Sequence, residues 1–127
     1  MSERFDRSRV SALRHAVVSC AQAAGLAGGR LDDFVVAVNE LLTNAVRHGG
    51  GGGRLALWRD GGSVVCEVTD HGAGLRVRPP PGQRPPADEP GGRGLWLVGA
   101  LADDLGVETG PEGTSVRISM TVTLRES

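Results

Sequence analysis

The sequence predicts an α+β fold, a two-layer α/β sandwich in which helices lie on one face of a mixed, mostly antiparallel sheet. Two stretches with helical spacing come first in the chain. Four stretches of alternating hydrophobicity follow as two hairpin-linked pairs, and a short helical stretch separates the pairs. Helices grouped apart from hairpin-linked strands are typical of α+β domains rather than of α/β domains.

Size and composition limit the classes of function. The chain has 127 residues, and we expect residues 1–127 to form a single domain. A net charge of −1 and 3% aromatic residues disfavour direct binding of nucleic acid. Cys20 and Cys66 lie outside any C-x-x-C pair and predict two buried, reduced thiols. Since the N-terminus lacks an apolar signal-peptide core and no apolar run is long enough to span a membrane, we expect a cytoplasmic domain.

Two helices are predicted in the first part of the chain. The first covers Asp6–Gly25, and Gly25 with the Gly28–Gly29 pair ends it. The second covers about Leu31–His48. Its apolar stripe consists of Val35, Val38, Leu42 and Ala45. The five glycines that follow, 49–53, predict a flexible connector, because a phosphate-binding loop would continue with Lys-Ser/Thr.

The rest of the chain alternates between strands and irregular segments. Strands are predicted over Arg54–Asp60 and Ser63–Asp70, joined by a tight hairpin turn. Residues Leu75–Gly91 hold six of the seven prolines, and a long loop of this kind predicts a lid. A short helix over Gly94–Asp103 and two further strands complete the fold. Those strands cover Leu105–Thr109 and Thr114–Leu124.

Three polar residues of the second predicted helix share one face. Glu40, Asn44 and His48 are spaced i, i+4 and i+8, which places them opposite the apolar stripe. An amide oxygen is a hard ligand suited to Mg²⁺. A carboxylate one turn earlier can orient or deprotonate a hydroxyl nucleophile beside that metal. The alternative interpretation is an ordinary solvated face of the helix.

Three glycine-containing segments carry the remaining chemistry. Asp70 precedes Gly72 and Gly74 at a strand end, where a carboxylate could accept a hydrogen bond from an exocyclic amine such as that of adenine. Simple termination of the strand explains the same residues. The segment Gly91–Gly94 opens a predicted helix and indicates either an anion site or a lid hinge. Gly113–Thr114 alone indicates only a turn.

In this order the features resemble those of the GHKL ATPases, which include gyrase-type topoisomerases, heat-shock chaperones, histidine kinases and mismatch-repair ATPases. The resemblance covers about Leu31–Met120. It rests on the segments ELLTNAVRHG, TDHGAG, GGRGLWLV and EGTSV. The small size and the spacing are similar to those of one branch, the anti-sigma-factor serine/threonine kinases.

The resemblance implies that the domain binds ATP with Mg²⁺. Asn44 would coordinate Mg²⁺ bridging the phosphates, and Glu40 would act as general base. Gly92 and Gly94 would form the phosphate-facing end of the lid. His48 matches a position near the nucleotide, but its implied role is a cap or a supporting contact rather than catalysis.

At the other end of the nucleotide, the resemblance implies that Asp70 reads the adenine amine with help from the Thr114 hydroxyl. Gly72 and Gly74 would shape the adenine pocket. The implied activity is that of a kinase that binds a sigma factor and phosphorylates a Ser or Thr of an anti-sigma antagonist protein. Direct contacts with nucleic acid or membrane are not expected, and a homodimer is compatible with this role.

The sequence departs from the family pattern at both ends of the proposed site. Members usually begin with a strand before the first helix, but only about five residues precede that helix here, which leaves open whether the sheet lacks that strand. Pro90 stands where a basic residue would meet the γ-phosphate, and Arg84 or Arg93 would have to replace it. A nucleotide-sensing module with little catalysis is therefore the main alternative.

Two further functions fit the sequence less well. The catalytic part of a split histidine kinase would need a phospho-acceptor histidine, and the context of His15, LRHAVVS, lacks the expected acidic residue and proline. A gyrase-like or chaperone-like ATPase would need further domains.

Overall fold

The computed structural model describes residues 1–48, 50–70, 92–111 and 113–122 and confirms the α+β class. A short 3-10 turn over Arg7–Arg9 precedes the first α-helix. The strands are β1 (Ser2–Asp6), β2 (Gly52–Asp60), β3 (Ser63–Asp70), β4 (Asp104–Gly110) and β5 (Gly113–Thr121). The helices are α1 (Val10–Ala23), α2 (Gly28–His48) and α3 (Gly92–Leu101).

The five strands form one sheet in the order β1-β2-β3-β5-β4. Every neighbouring pair within the described ranges is antiparallel. Strand β3 lies at the centre, between its hairpin partner β2 and the later strand β5. Since Thr69 pairs with Ser115, the end of β3 lies beside the beginning of β5. This places Asp70 next to Thr114, although 43 residues separate them in the sequence.

The structure contains the first strand of the family pattern, whose presence the sequence left open. Strand β1 pairs with β2 along its whole length, from Ser2 opposite Ala56 to Asp6 opposite Gly52. It escaped the sequence pattern because it is a short edge strand with one buried side chain, Phe5. Asp6 ends the strand and caps the 3-10 turn, where its Oδ1 accepts a hydrogen bond of 2.9 Å from the backbone N–H of Ser8.

Glycine ends helix α1, as predicted. Gly25 has a φ of +112°, and its N–H donates to the carbonyl oxygen of Gln22 at 3.0 Å. The N–H of the buried Leu26 donates to the carbonyl oxygen of Ala21 at 3.1 Å, which completes a Schellman motif. Helix α2 then begins at Gly28, three residues before the predicted start at Leu31.

Part of the glycine run belongs to the sheet, which corrects the flexible connector predicted over 49–53. Gly52 and Gly53 open strand β2 and pair with β1 and β3. A Cβ atom at Gly53 would lie 2.1 Å from the carbonyl oxygen of Thr69, and one at Gly52 would lie 2.2 Å from that of Phe5. These two positions therefore require glycine because neighbouring backbone passes too close for any side chain.

The core lies between the helices and one face of the sheet. Its largest fully buried side chains include Phe34 and Leu41 from α2, and Leu55, Leu57 and Ile118 from the strands. Cys66 is buried, as predicted, and burial raises the pKa of its thiol. Cys20 is only half-buried. None of the described helices is both long and apolar enough to cross a membrane.

The remaining differences concern element ends. Helix α3 covers Gly92–Leu101 instead of Gly94–Asp103. Strand β5 ends at Thr121, whereas the prediction extended it to Leu124, which lies outside the described residues. The predicted lid, Leu75–Gly91, also lies outside them.

Candidate functional site

A central cavity lies where helix α2 and helix α3 meet the ends of strands β3 and β5. The space open to the centres of water-sized molecules is about 30 Å³, so the cavity is narrow. Five apolar side chains form most of its wall: Leu41, Ala45, Val68, Leu95 and Val116. The polar members of the wall are Asn44, His48, Asp70 and Thr114.

One end of the central cavity is set by Asp70, the last residue of β3. On one side, Asp70 pairs with Gly53 of strand β2. On the other side, the backbone N–H of Thr114 donates a hydrogen bond of 3.2 Å to Oδ1 of Asp70. Strand pairing therefore fixes the backbone of Asp70, and the Thr114 hydrogen bond fixes the carboxylate. A carboxylate held in this way at the end of an apolar cavity is a directed hydrogen-bond acceptor.

The side chain of Thr114 also lies in this wall and is only 5% exposed. Its hydroxyl shares a hydrogen bond of 3.1 Å with the hydroxyl of Thr109 on strand β4. The sequence analysis did not single out Thr109. The signal that could have found it is the hairpin of β4 and β5, whose register places Thr109 directly opposite Thr114.

The helical wall holds Asn44 between the apolar residues Leu41 and Ala45. The predicted position of Asn44, opposite the apolar stripe, was wrong. The buried face of α2 consists of Leu31, Phe34, Ala37, Val38, Leu41, Leu42 and Ala45, while Val35 is only half-buried. The buried face is thus rotated about the helix axis relative to the predicted stripe, away from Val35 and toward Leu41. As a result, Asn44 lies at the edge of the core and lines the cavity.

The amide nitrogen of Asn44 is buried and has no hydrogen-bond partner within the described part of the chain. Leaving a buried amide unpaired is unfavourable by about 1–3 kcal/mol. Such an atom at a cavity wall is a reason to expect a polar ligand there, since ligand contacts near the amide can offset this loss.

Glu40 and His48 lie one helical turn on either side of Asn44, about 6 Å away along the axis of α2. His48 is the last residue of the helix and lines the central cavity. Glu40 is half-buried and is not part of the cavity wall. The structure therefore places Asn44 and His48 with Asp70 and Thr114, and it leaves Glu40 on the same helix beyond the cavity.

The structure describes one of the two pairs of predicted site glycines. Gly92 and Gly94 lie in the first turn of α3, immediately before the cavity residue Leu95. Gly72 and Gly74 lie outside the described residues. The described arrangement is thus a mainly apolar cavity with an acceptor carboxylate at one end and an amide on its helical wall. Its polarity suits a ligand that combines an apolar body with a hydrogen-bond donor.

A family model for the histidine kinase-like ATPase domain matches residues 4–120. The chain belongs to this family. Since the match covers most of the chain, the family assignment includes α2, β3, α3 and β5, which together form the central cavity. No curated protein matches the chain significantly.

Solved structures share the fold of this histidine kinase-like ATPase domain. The RsbU and RsbW domains of Rv1364c from Mycobacterium tuberculosis align with a TM-score of 0.73 and 21% identity, over 96% of this chain and 32% of that one. The histidine kinase AdeS of Acinetobacter baumannii aligns with a TM-score of 0.55 and 15% identity, over 98% and 68% of the two chains.

The histidine kinase domain of the Erythrobacter litoralis EL346 blue-light activated histidine kinase aligns with a TM-score of 0.54 and 24% identity, over 74% and 45% of the two chains. The present chain thus spans about a third of the Mycobacterium tuberculosis chain and under half of the Erythrobacter litoralis domain. At these identities the likeness shows the common fold.

Proposed function

We propose that this chain is an ATP-binding, Mg²⁺-dependent serine/threonine protein kinase of the anti-sigma-factor type. In this role it would hold a sigma factor and phosphorylate a Ser or Thr of an antagonist protein. The observation that carries the proposal is the central cavity, because it combines apolar walls, the Asp70 carboxylate and the Asn44 amide in a chain of the histidine kinase-like ATPase family.

Adenine recognition would depend on Asp70 and Thr114. The purine ring would lie between the apolar side chains of α2 and those of the sheet. Its exocyclic amine would donate to the carboxylate of Asp70, whose position is set by the Thr114 N–H. A hydrogen bond to a charged group contributes about 1.5–3 kcal/mol, which is enough to select adenine over bases without this amine.

Mg²⁺ would be held by the Asn44 side-chain oxygen together with oxygens of the phosphates and water. This donor set fits the metal, since Mg²⁺ prefers hard oxygen ligands and usually keeps several waters. The unpaired amide nitrogen of Asn44 is consistent with a side chain whose surroundings are completed by a ligand. When bound, the metal would neutralise charge on the phosphates.

Glu40 would act as the general base. It lies one turn from Asn44 on the same rigid helix, so its carboxylate would face a hydroxyl positioned near the phosphates. The carboxylate would accept the proton of the attacking Ser or Thr. Gly92 and Gly94, in the first turn of α3, would expose backbone N–H groups toward the phosphates.

The protein partners are proposed from two kinds of support. The segments ELLTNAVRHG and GGRGLWLV resemble those of anti-sigma-factor kinases. The fold is also shared with a chain that contains an RsbW domain. A second candidate function, a nucleotide-sensing module with little turnover, is favoured by Pro90, which replaces the expected basic residue near the γ-phosphate.

Phosphotransfer distinguishes the two candidates. Purified protein is incubated with Mg²⁺, ATP labelled at the γ-phosphate and candidate antagonist proteins. For a kinase, Glu40→Ala should keep ATP affinity and reduce transfer by roughly 10²–10⁴-fold. Asp32→Ala is the control, since this exposed acidic residue lies on the same helix, two turns nearer its start. If the protein binds ATP tightly and forms a stable complex with the antagonist but transfers no phosphate, the kinase is excluded and the nucleotide-sensing module is supported.

A further inference from the structure

A second opening, the outer groove, lies beyond the carboxylate end of the central cavity. Its space open to the centres of water-sized molecules is about 590 Å³, and the groove is open to solvent. The ends of β3, β4 and β5 and the turn between β4 and β5 form it. Its side chains are mostly polar and include Thr69, Glu108, Thr109 and Ser115.

The central cavity and the outer groove share two wall residues, Asp70 and Thr114. These two residues, here called the partition, take part in two hydrogen bonds. The Thr114 N–H donates to Asp70 Oδ1 at 3.2 Å, and the Thr114 and Thr109 hydroxyls lie 3.1 Å apart. No other residue belongs to both walls within the described part of the chain, so these two residues mark the boundary between the cavity and the groove.

Of the two residues in the partition, Asp70 is the one whose side chain can be shortened with the least effect on the sheet. Thr114 is almost fully buried, and its backbone belongs to β5, so its position is tied to the sheet. Asp70 is half-buried at the last position of β3, and it lines both the central cavity and the outer groove. Shortening Asp70 would therefore join the central cavity to the outer groove without removing a core side chain.

We propose that the outer groove is a second subsite for adenine nucleotides that carry a substituent on the exocyclic nitrogen, and that Asp70 closes it in the native protein. This inference rests on the proposed function, which directs the exocyclic nitrogen of adenine at Asp70. In the native protein the carboxylate accepts a hydrogen bond from the unsubstituted amine and occupies the space that a substituent would need. With a shorter side chain, the substituent enters the polar outer groove.

The chemistry of the groove limits the substituents that fit. The groove is open to solvent and has room for a ring, and its hydroxyls and the Glu108 carboxylate accept hydrogen bonds. A hydroxybenzyl group, which combines a flat ring with a donor, should therefore bind at least as well as a plain benzyl group. A negatively charged carboxybenzyl group should bind less well, because it would approach Glu108.

Calorimetry with ATP and with ATP benzylated on the exocyclic nitrogen tests the subsite. The wild type should prefer ATP by about tenfold or more, which is the effect of losing one good contact. In Asp70→Ala the preference should reverse, since ATP loses its acceptor while the benzylated nucleotide gains the groove. Asp70→Ser keeps a short polar side chain at this position, and it guards against loss of folding in the alanine variant.

Two controls separate the partition from a general widening of the pocket. Leu95→Ala enlarges the central cavity on the side of α3, away from the outer groove, and should not reverse the preference. ATP that carries the same benzyl group on C8 should gain nothing from either Asp70 variant. Thermal unfolding of each variant checks that it remains folded.

The outcomes of the calorimetry are distinct. If the wild type fails to bind ATP, the proposed function is wrong. If the wild type binds ATP and the folded Asp70 variants lose affinity for it, yet both still reject the benzylated nucleotide as strongly as the wild type does, the subsite is wrong while adenine recognition by Asp70 stands. Reversal in Leu95→Ala as well would also overturn the role of the partition.

Discussion

Replacing Asp70 by asparagine tests adenine recognition with almost no change in shape. The Thr114 N–H donates to Oδ1 of Asp70 at 3.2 Å, and an asparagine can keep this contact only through its carbonyl oxygen. Its NH₂ group then faces the central cavity, where the proposed ligand presents an amine. The carboxylate of Asp70 accepts a hydrogen bond from this amine, whereas the NH₂ group of asparagine is itself a donor and cannot do so.

The size of the effect follows from this geometry. A hydrogen bond between the amine and a carboxylate is worth about 1.5–3 kcal/mol, which corresponds to a loss of roughly 10- to 150-fold in ATP affinity. The fold should be little affected, since Thr114 keeps its acceptor. Inosine triphosphate carries a carbonyl oxygen in place of the amine, so its affinity should rise relative to that of ATP in Asp70→Asn.

Calorimetry with ATP and with inosine triphosphate at a fixed Mg²⁺ concentration measures both affinities. Asp60→Asn is the matched control, because this exposed aspartate at the end of β2 lies outside the central cavity. Equal ATP affinity in the wild type and in Asp70→Asn would refute adenine recognition by this carboxylate. Weaker binding of both nucleotides without a change in their ratio would show that the substitution damages the cavity rather than the contact with the base.

Three further predictions concern the metal, the sheet and pH. Asn44→Ala should lower ATP affinity by about tenfold or more in Mg²⁺ but little in EDTA, as measured by calorimetry with Thr43→Ala as control. Gly53→Ala should lower the free energy of unfolding by about 2 kcal/mol or more in urea titrations, because its Cβ would lie 2.1 Å from the Thr69 carbonyl oxygen, whereas Gly62→Ala meets no atom within 4 Å and should have little effect. The Thr121 N–H and then the Arg30 guanidinium lower the pKa of Asp103 below 3.8, so its contribution to stability is present above that pKa and is lost as pH falls through the lower folded pKa. Urea titrations at about pH 6 and about pH 3 should therefore show a smaller difference between the wild type and Asp103→Asn at the lower pH.

The elements with long, regular patterns could be predicted from the sequence. Strand β3 covers Ser63–Asp70 as predicted, and α2 ends at His48 as predicted. Both have many core-facing residues, so their periodicity is strong. Strand β1 could not be found because a single side chain, Phe5, faces the core. Gly52 and Gly53 misled the analysis because the reason for glycine there is contact with neighbouring strands, which local composition does not reveal.

Much of the candidate site could be assembled from motifs, but its geometry could not. The motifs pointed to Asn44, Asp70 and Thr114, and the structure brings these residues to one cavity.

 

Leu41 and Leu95 lie within the motif segments, but nothing in the motifs marks them as parts of the apolar wall. Thr109 lies outside the motifs altogether. These residues look like ordinary core and strand positions until the topology places α2, α3 and the hairpin of β4 and β5 around one space. Their contribution depends on contacts between segments that are distant in the sequence, and spacing along the chain does not predict such contacts.

The position of Asp70 shows why the site depends on the sheet more than on a local motif. Aspartate is a poor strand former, yet Asp70 ends β3 as a paired residue opposite Gly53. The absence of a side chain at Gly53 lets β2 approach β3 closely, and the Thr114 N–H then orients the carboxylate from the other side. Because both neighbours are strands of the same sheet, the acceptor is fixed before any ligand binds. A substitution at Gly53 should therefore weaken nucleotide binding as well as folding, although Gly53 itself is not part of the cavity wall.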